Sequence, residues 1–418
     1  MRTPSRIAPL ALALALGAAG CQELGVTNTN NPDRNRAASD TASIEGFVAG
    51  AFSSWWEWVH DDSPVWMFNT MADEFSAAFF DFGILDNSRE PRPAWNNSPV
   101  YDESDASEDP WYGLYSVIST VNDALRAIDE GLRIVEGGTD VTARAEAVGK
   151  FMQGLAHGHV ALYFDQGYIV DESVDLDTIV NYPLSPADEV MDSAVVYLAE
   201  AAAIAQANTF TLPSTSWLRV DMNNQGLARL AHSWIARFLA SLPRTRDERA
   251  AVDWNRVIQH IDQGITTDFA PIGVPGIFVD DFKRVAARRR TTSGRLIPSD
   301  FARLDNWLVG PADSTDAFIN WVNSSLDNRR AFRLLTNDRR IEPATATPAD
   351  TLNFGKYFGF SQTNRYADDR GFYHQSYYHY HRFGLGTSWQ EGPLVAMTVT
   401  EMNLLNAEAL IRMLDGER

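Results

Sequence analysis

Apolar residues recur along most of this chain with a helical period. Over residues 39–60, Ile44, Phe47, Val48, Ala51, Phe52 and Trp55 fall on one stripe, behind the cap-type residues Ser39, Asp40 and Thr41. A second helix is predicted over 111–135, opened by Asp109-Pro110 and closed by Gly137-Gly138, because proline suits the first turn and glycine the residue past the last. Residues 142–166 carry Val148, Phe151, Leu155, Leu162 and Phe164 between charged flanks. Residues 185–208 open on Ser185-Pro186 with acidic groups in the first turn, where the helix dipole favours them. Residues 223–241 and 253–267 continue the series, and 398–414 closes it with Met402, Leu405, Ala409 and Met413 on one face. Neighbouring helices pair naturally, which predicts a mostly α fold of stacked helical hairpins, a tetratricopeptide-like scaffold without a strict repeat signature.

Between 271 and 392 the pattern changes. Gly, Pro and Asn-Asp-Arg clusters multiply, and aromatics crowd into 354–360 and 371–383. This predicts a loop-rich insertion with short strands and short helices, laid over the scaffold and bracketed by scaffold helices on both sides. The whole of 37–418 is thus read as one helical domain with an insertion at about 271–392.

With 418 residues, of which 45% are hydrophobic, the chain can build a core without disulfide or metal staples. Its formal charge of −20 repels a phosphate backbone and excludes nucleic-acid binding through a general basic face. The single cysteine excludes an internal disulfide, a cysteine zinc site and an iron–sulfur cluster. That residue, Cys21, follows an arginine-bearing start and an apolar run over 7–19, too short to span a bilayer. The segment 1–20 resembles a bacterial lipoprotein signal peptide, which makes Cys21 the lipidation site, and Gln22 after it points to sorting to the outer membrane. Removal of the segment takes Arg2 and Arg6 with it, so the mature charge is −22. No later stretch reads as a membrane span. Residues 21–36, polar and Asn-rich, form a tether reaching about 20 Å by random-coil scaling.

The order of motifs is more specific than any one of them. Ile44-Glu-Gly-Phe-Val-Ala-Gly-Ala-Phe52 follows the tether, then Ala72-Asp-Glu-Phe-Ser-Ala77 and Trp111-Tyr-Gly-Leu-Tyr-Ser-Val-Ile-Ser-Thr-Val-Asn-Asp-Ala-Leu125. Glu146-Ala-Val-Gly-Lys-Phe-Met-Gln-Gly-Leu155 runs on to Tyr163-Phe-Asp-Gln-Gly167, and Glu401-Met-Asn-Leu-Leu-Asn-Ala-Glu-Ala-Leu-Ile-Arg412 comes last. Together they resemble the SusD/RagB family of nutrient-binding outer-membrane lipoproteins. The resemblance implies a lipid-anchored protein that captures an oligosaccharide or a peptide and delivers it to a SusC-like TonB-dependent transporter. It also implies a C-terminal segment beyond Arg418, since the family continues past this last helix. Ligand would bind on a face built by the loops after the first helix (Trp66, Asp73, Glu74, Trp95) and by the insertion (Tyr366, Tyr373, Trp389).

Other chemistry leaves little trace. Gly386-Thr-Ser-Trp-Gln390 lacks the second glycine of a nucleophile elbow. His157 and His159 stand two apart on a helix and cannot share an ion, whereas His379 and His381 could chelate from a strand but lie among tyrosines. The acidic run 102–109 lacks the spacing of a calcium loop and reads as a solvated loop. Asp73-Glu74 is open between a helix cap or salt bridge and a polar group at the ligand pocket. Aromatics stand out, with 12 Trp, 13 Tyr and 22 Phe, and those in loop contexts (also Tyr101) are candidates to stack on sugar rings. The reading is therefore a non-enzymatic binding protein with no cofactor or metal. The alternatives are a helical scaffold of the cell envelope and a surface glycan hydrolase, which would need a positioned acid–base pair in a cleft.

Overall fold

The structure, a computed structural model, describes residues 40–60, 63–77, 83, 86–87, 91–174, 181–279, 289–290, 296–297, 302–342, 352–361, 374–380 and 392–416. Cys21 and the signal and tether segments lie outside these residues, as do Tyr366, Tyr373, His381 and Trp389.

The fold is mostly α, with eleven helices and small scattered sheets among the described residues. In chain order these are α1 (Thr41–His60), α2 (Ser63–Met71), α3 (Asp105–Asp129), α4 (Thr142–Tyr163), α5 (Ala187–Ala207), α6 (Asn224–Ser241), α7 (Arg246–Ala250), α8 (Trp254–Asp262), α9 (Asn306–Val309), α10 (Ala317–Asn323) and α11 (Val399–Gly416). Contacts run in sequence order: α1 on α3, α3 on α4, α4 on α5, α5 on α6, α6 on α8 and α8 on α11. This is the stack of helical neighbours that the periodicity predicts.

Helix α4 is the centre of that stack, buried on nearly every side. Its glycines make this possible. A Cβ on Gly154 would lie 2.5 Å from Leu198 Cγ and 2.9 Å from the Ala194 carbonyl oxygen of α5, and one on Gly158 would lie 2.2 Å from the Phe238 ring of α6. The glycines let α5 and α6 approach the α4 backbone, and Phe151, Leu155, Leu198, Leu227 and Phe238 close the core around them. Helix α5 is long and apolar enough by composition to cross a membrane. Here it is a scaffold helix that buries Val190, Met191, Ala194 and Leu198 against its neighbours, contrary to the expectation that no later stretch has that character.

Several boundaries differ from the sequence reading, and α8 stops at Asp262 where the pattern runs to 267. Helix α3 starts at Asp105, so Pro110 lies inside it, and the acids Asp105 and Glu108 occupy its first turn, where the dipole stabilises them. Much of the run read as a solvated acidic loop is therefore helix. Its stop is Gly131, at φ 106°, while Gly137 and Gly138 form the turn of a two-stranded hairpin (Val135–Glu136 with Thr139–Asp140). Helix α2 stands where the pattern predicts a loop after the first helix, and Ser185–Pro186 pairs as a strand with Gln166–Gly167 before α5 begins.

Within the loop-rich region, Leu352–Phe354, Phe358–Ser361 and Tyr378–Tyr380 form a three-stranded antiparallel sheet. Phe75, Leu304, Val309, Leu334, Ile341, Phe360, Tyr378 and Tyr380 make a second, separate core over it. Two seams tie the region to the scaffold. Ile272–Gly273 pairs with Gly392–Pro393, and Phe75–Ala77, just after α2, pairs with Ala302–Leu304.

Candidate functional site

The loop after α2 returns past the start of α3 and the end of α4, and a cleft of about 290 Å³ opens between them. Met67, Phe68 and Met71 come from α2, Trp95 and Asn97 from the loop, Ala106, Ser107 and Pro110 from α3, and Tyr163, Phe164 and Asp165 from the end of α4. Each element presents what its sequence makes available. The α4 helix ends at Tyr163, and Phe164 follows in extended backbone, partly buried against the scaffold core and bordering the cleft as well. The Phe68 and Tyr163 rings pack 4.7 Å apart.

Trp95 is held from behind. Tyr101 meets it edge-on at 5.7 Å, and the Tyr101 hydroxyl donates to Asp86 at 2.8 Å. Gly83, at φ 66°, runs against the far edge of the indole, where a Cβ would be only 3.4 Å away. The indole is half-buried, with its remaining surface in the cleft. The polar groups of the wall are Asn97, Ser107 and Asp165, and the carboxylate of Asp165 is ion-paired with Arg244. The cleft thus offers aromatic faces beside a few polar groups, the composition of a small-molecule site.

Asp73 and Glu74 are not part of this lining. Both close α2: Asp73 N–H donates to the Thr70 carbonyl at 3.2 Å and Glu74 N–H to the Asn69 carbonyl at 2.9 Å, with Asp73 itself at φ 56°. Arg92 forms an ion pair with Asp73 and also donates to the carbonyls of Asn87 and Thr70. The Tyr380 hydroxyl donates to the Glu74 carboxylate, and Asp305 N–H donates to the Glu74 carbonyl at 3.0 Å. The cap and salt-bridge reading of this pair describes what the structure shows.

Next to it, buried Asp305 and His374 approach at 3.4 Å, and Arg329 lies 3.1 Å from His374 Nε2. Burial pushes the Asp305 carboxyl up to about 6, with His374 pulling the other way. Asp73, Asp305 and His374 have donor atoms within 4.8 Å of one another. Arg92 and Arg329 already face two of the three, and guanidinium groups repel a cation, so the cluster reads as a hydrogen-bonded seam between scaffold and insertion.

Of the residues named from sequence, Trp95 lines the cleft and Trp66 falls on α2, while Asp73 and Glu74 sit at the seam. His379 is buried in the Tyr378–Tyr380 strand, and His157 and His159 are buried on α4, each bonded through Nδ1 to a carbonyl of its own helix at 2.8 and 2.7 Å. Sequence reasoning missed Phe68, Asn97, Ser107, Tyr163, Phe164 and Asp165. The available signal was the Tyr163-Phe-Asp165 string, two aromatics beside an acid at a helix end.

No protein-family model and no curated protein sequence matches the chain. Solved structures do match by shape. A SusD superfamily protein from Bacteroides vulgatus superposes over 91% of this chain and 78% of its own, at 10% identity and a TM-score of 0.53. A laminarin-binding SusD-like protein does so over 90% and 83%, at 11% identity and a TM-score of 0.53. A structure with a xylogluco-oligosaccharide covers 88% and 71%, at 13% identity and a TM-score of 0.52. The chain spans between 65 and 83% of the length of the SusD-like chains compared. Helical stack, loop-rich elaboration and seams together, this chain has the SusD-like fold.

Proposed function

We propose that this protein is a non-enzymatic binding protein of the SusD type that captures an oligosaccharide in the Trp95 cleft. It is anchored to the outer membrane through lipid on Cys21 and passes its ligand to a TonB-dependent transporter. The observation that carries the reading is the cleft itself. Aromatic faces from Trp95, Phe68, Tyr163 and Phe164 suit the C–H faces of sugar rings, and Asn97 and Ser107 suit their hydroxyls. The structural neighbours include a laminarin-binding protein and one solved with a xylogluco-oligosaccharide, which supports a glycan as the ligand class.

A hydrolase would need two carboxylates flanking a scissile bond. The described lining supplies one, Asp165, and Arg244 is already paired with it. This favours capture over cleavage.

Titration of the mature protein with laminarin- and xyloglucan-derived oligosaccharides tests the reading. Stacking on one aromatic face is worth about 0.5–1.5 kcal/mol beyond area burial, so Trp95→Ala should weaken binding several-fold. Because the indole lies outside the helical core, the melting temperature should change little. Equal binding by parent and variant would move the site elsewhere, and a large loss of melting temperature would make Trp95 a packing residue.

A further inference from the structure

Beside the Trp95 cleft, between α3 and the loop that follows α4, lies a second cavity of about 400 Å³. Its walls are Trp111, Tyr115, Tyr168 and Tyr182, with Ile118, Val170 and Val174 filling between the rings. Trp111 packs against Tyr115 at 4.8 Å and Tyr168 at 5.9 Å, and Tyr168 against Tyr182 at 6.1 Å. Trp111 also meets Phe164 edge-on at 4.9 Å. Phe164 lines the first cleft and Trp111 the second, so this one ring pair is a wall common to both.

The two cavities differ in the polar groups they offer. In the second, the polar groups other than the exposed Ser119 are already engaged by the protein, and the Asp123 carboxylate pairs with Arg126 at 3.3 Å. The Tyr115 hydroxyl donates to the Tyr168 carbonyl at 3.2 Å and accepts from Tyr168 N–H at 2.5 Å, and the Tyr182 hydroxyl donates to the Ile169 carbonyl at 2.6 Å. Asn122 donates to the Val170 carbonyl at 3.0 Å and accepts from Gln153 at 2.7 Å. Arg126 donates to the carbonyls of Glu172 and Val174 at 3.0 and 3.1 Å. Those bonds fasten the loop over α3 and turn ring faces, not hydroxyls, toward the space. A sugar entering it would lose water from its hydroxyls and regain few hydrogen bonds, a cost that an apolar ring does not meet. Volume is no obstacle, since an apolar cavity of about 150 Å³ is enough to hold benzene.

We propose that this cavity is a second binding site, specific for an aryl ring, supplied either by a free aromatic compound or by an aromatic substituent on a saccharide. The substituted-saccharide source rests on the glycan reading of the Trp95 cleft, while the free-ring source does not. The shared Trp111–Phe164 wall places the two sites one ring pair apart, a separation that a single decorated saccharide can bridge.

Calorimetric titration with indole, p-cresol, cellobiose and 4-nitrophenyl β-cellobioside tests the proposal on the mature protein. Indole and p-cresol should bind saturably with a dissociation constant below about 10 mM, the modest end of ligand efficiency for molecules of this size. Ser119 is an exposed lining residue on α3, so Ser119→Trp or Ser119→Phe should fill the space without unfolding the protein. Either should weaken both rings at least about tenfold, while Trp95→Ala leaves them unchanged. Tighter binding of the aryl cellobioside than of either half, with the excess lost in Trp95→Ala, supports the substituted saccharide. Equal binding of aryl cellobioside and free ring supports the free compound. Ring binding with no binding of cellobiose or of the laminarin- and xyloglucan-derived oligosaccharides would overturn the glycan reading of the Trp95 cleft and leave this site standing. No ring binding, or ring binding that both Ser119 variants retain, overturns the proposal.

Discussion

At the scale of single residues, the same substitution should have opposite signs at two glycines. Gly158 has the Phe238 ring where a Cβ would go, 2.2 Å away, whereas Gly50 on α1 has nothing within 4 Å. Gly158→Ala therefore overpacks the helix stack, and about 1–3 kcal/mol of stability should be lost. Gly50→Ala removes backbone entropy from the unfolded chain and fills open space, so it should stabilise by about 0.5–1 kcal/mol. Chemical denaturation of both variants measures the difference. Equal midpoints would mean that α4 and α6 separate at no cost, against the packing described. Both residues look alike in sequence, a glycine within a helical pattern, and only the neighbour across the interface tells them apart.

Among the helices, α4 carries two buried histidines that tie stability to pH. His157 and His159 are buried on it, and His60 of α1 packs nearby. Burial holds the imidazoles of His157 and His159 down to about 4 and that of His60 down to about 3, and His260 of α8 is likewise held at about 4. His157 shows why. Its Nδ1–H donates to the Gln153 carbonyl at 2.8 Å and its Nε2 accepts from Val170 N–H at 3.3 Å, so a second proton would expel the Val170 bond. In the unfolded chain these groups titrate near 6.5, so between about 6.5 and 4 the unfolded state binds more protons. The stability contribution is complete above about 6.5 and is lost as pH falls toward 4. Melting temperature should thus be flat from pH 8 to 7 and drop measurably from pH 6.5 to 5, the four histidines outweighing buried Asp305, whose raised carboxyl binds a proton in the folded state and acts in the opposite direction. A flat profile across that window would show that these histidines protonate without cost in the fold. The helices themselves were legible from apolar period and from acids in first turns. Their ends were less so: Pro110 and Gly137-Gly138 carried the expected punctuation, but the first turn of α3 is set by its acids and its stop by Gly131.

For the whole molecule, the proposed anchor and the seams make separate demands. The apolar run ending at Cys21 motivates lipidation, and Cys21→Ala in a native host should abolish acyl labelling and release the protein from the membrane fraction. Labelling that persists in the variant would end that reading. Folding of the domain should be indifferent to the change, because the scaffold core is built from residues 44 onward. The loop-rich region depends on the scaffold through Glu74, Tyr380, Asp305 and the strand pairing of Phe75–Ala77 with Ala302–Leu304.

The sequence by itself determined the helical class, the place where texture changes near 271, and a short list of loop aromatics that included Trp95. Those are local properties: period, punctuation and composition act over a few residues and are visible one segment at a time. Tertiary structure alone decided which aromatics face a cleft. Trp95 and Phe164 are separated by the whole of α3 and α4 in the chain, yet line one space, while Trp111, the first residue of its motif, faces another. It also decided that Asp73 and Glu74 close a helix and bind the insertion instead of lining the cleft, because their partners Arg92 and Tyr380 arrive from different distances along the chain. A carboxylate's role depends on what stands opposite it, and pairings across such separations leave no mark on the local pattern.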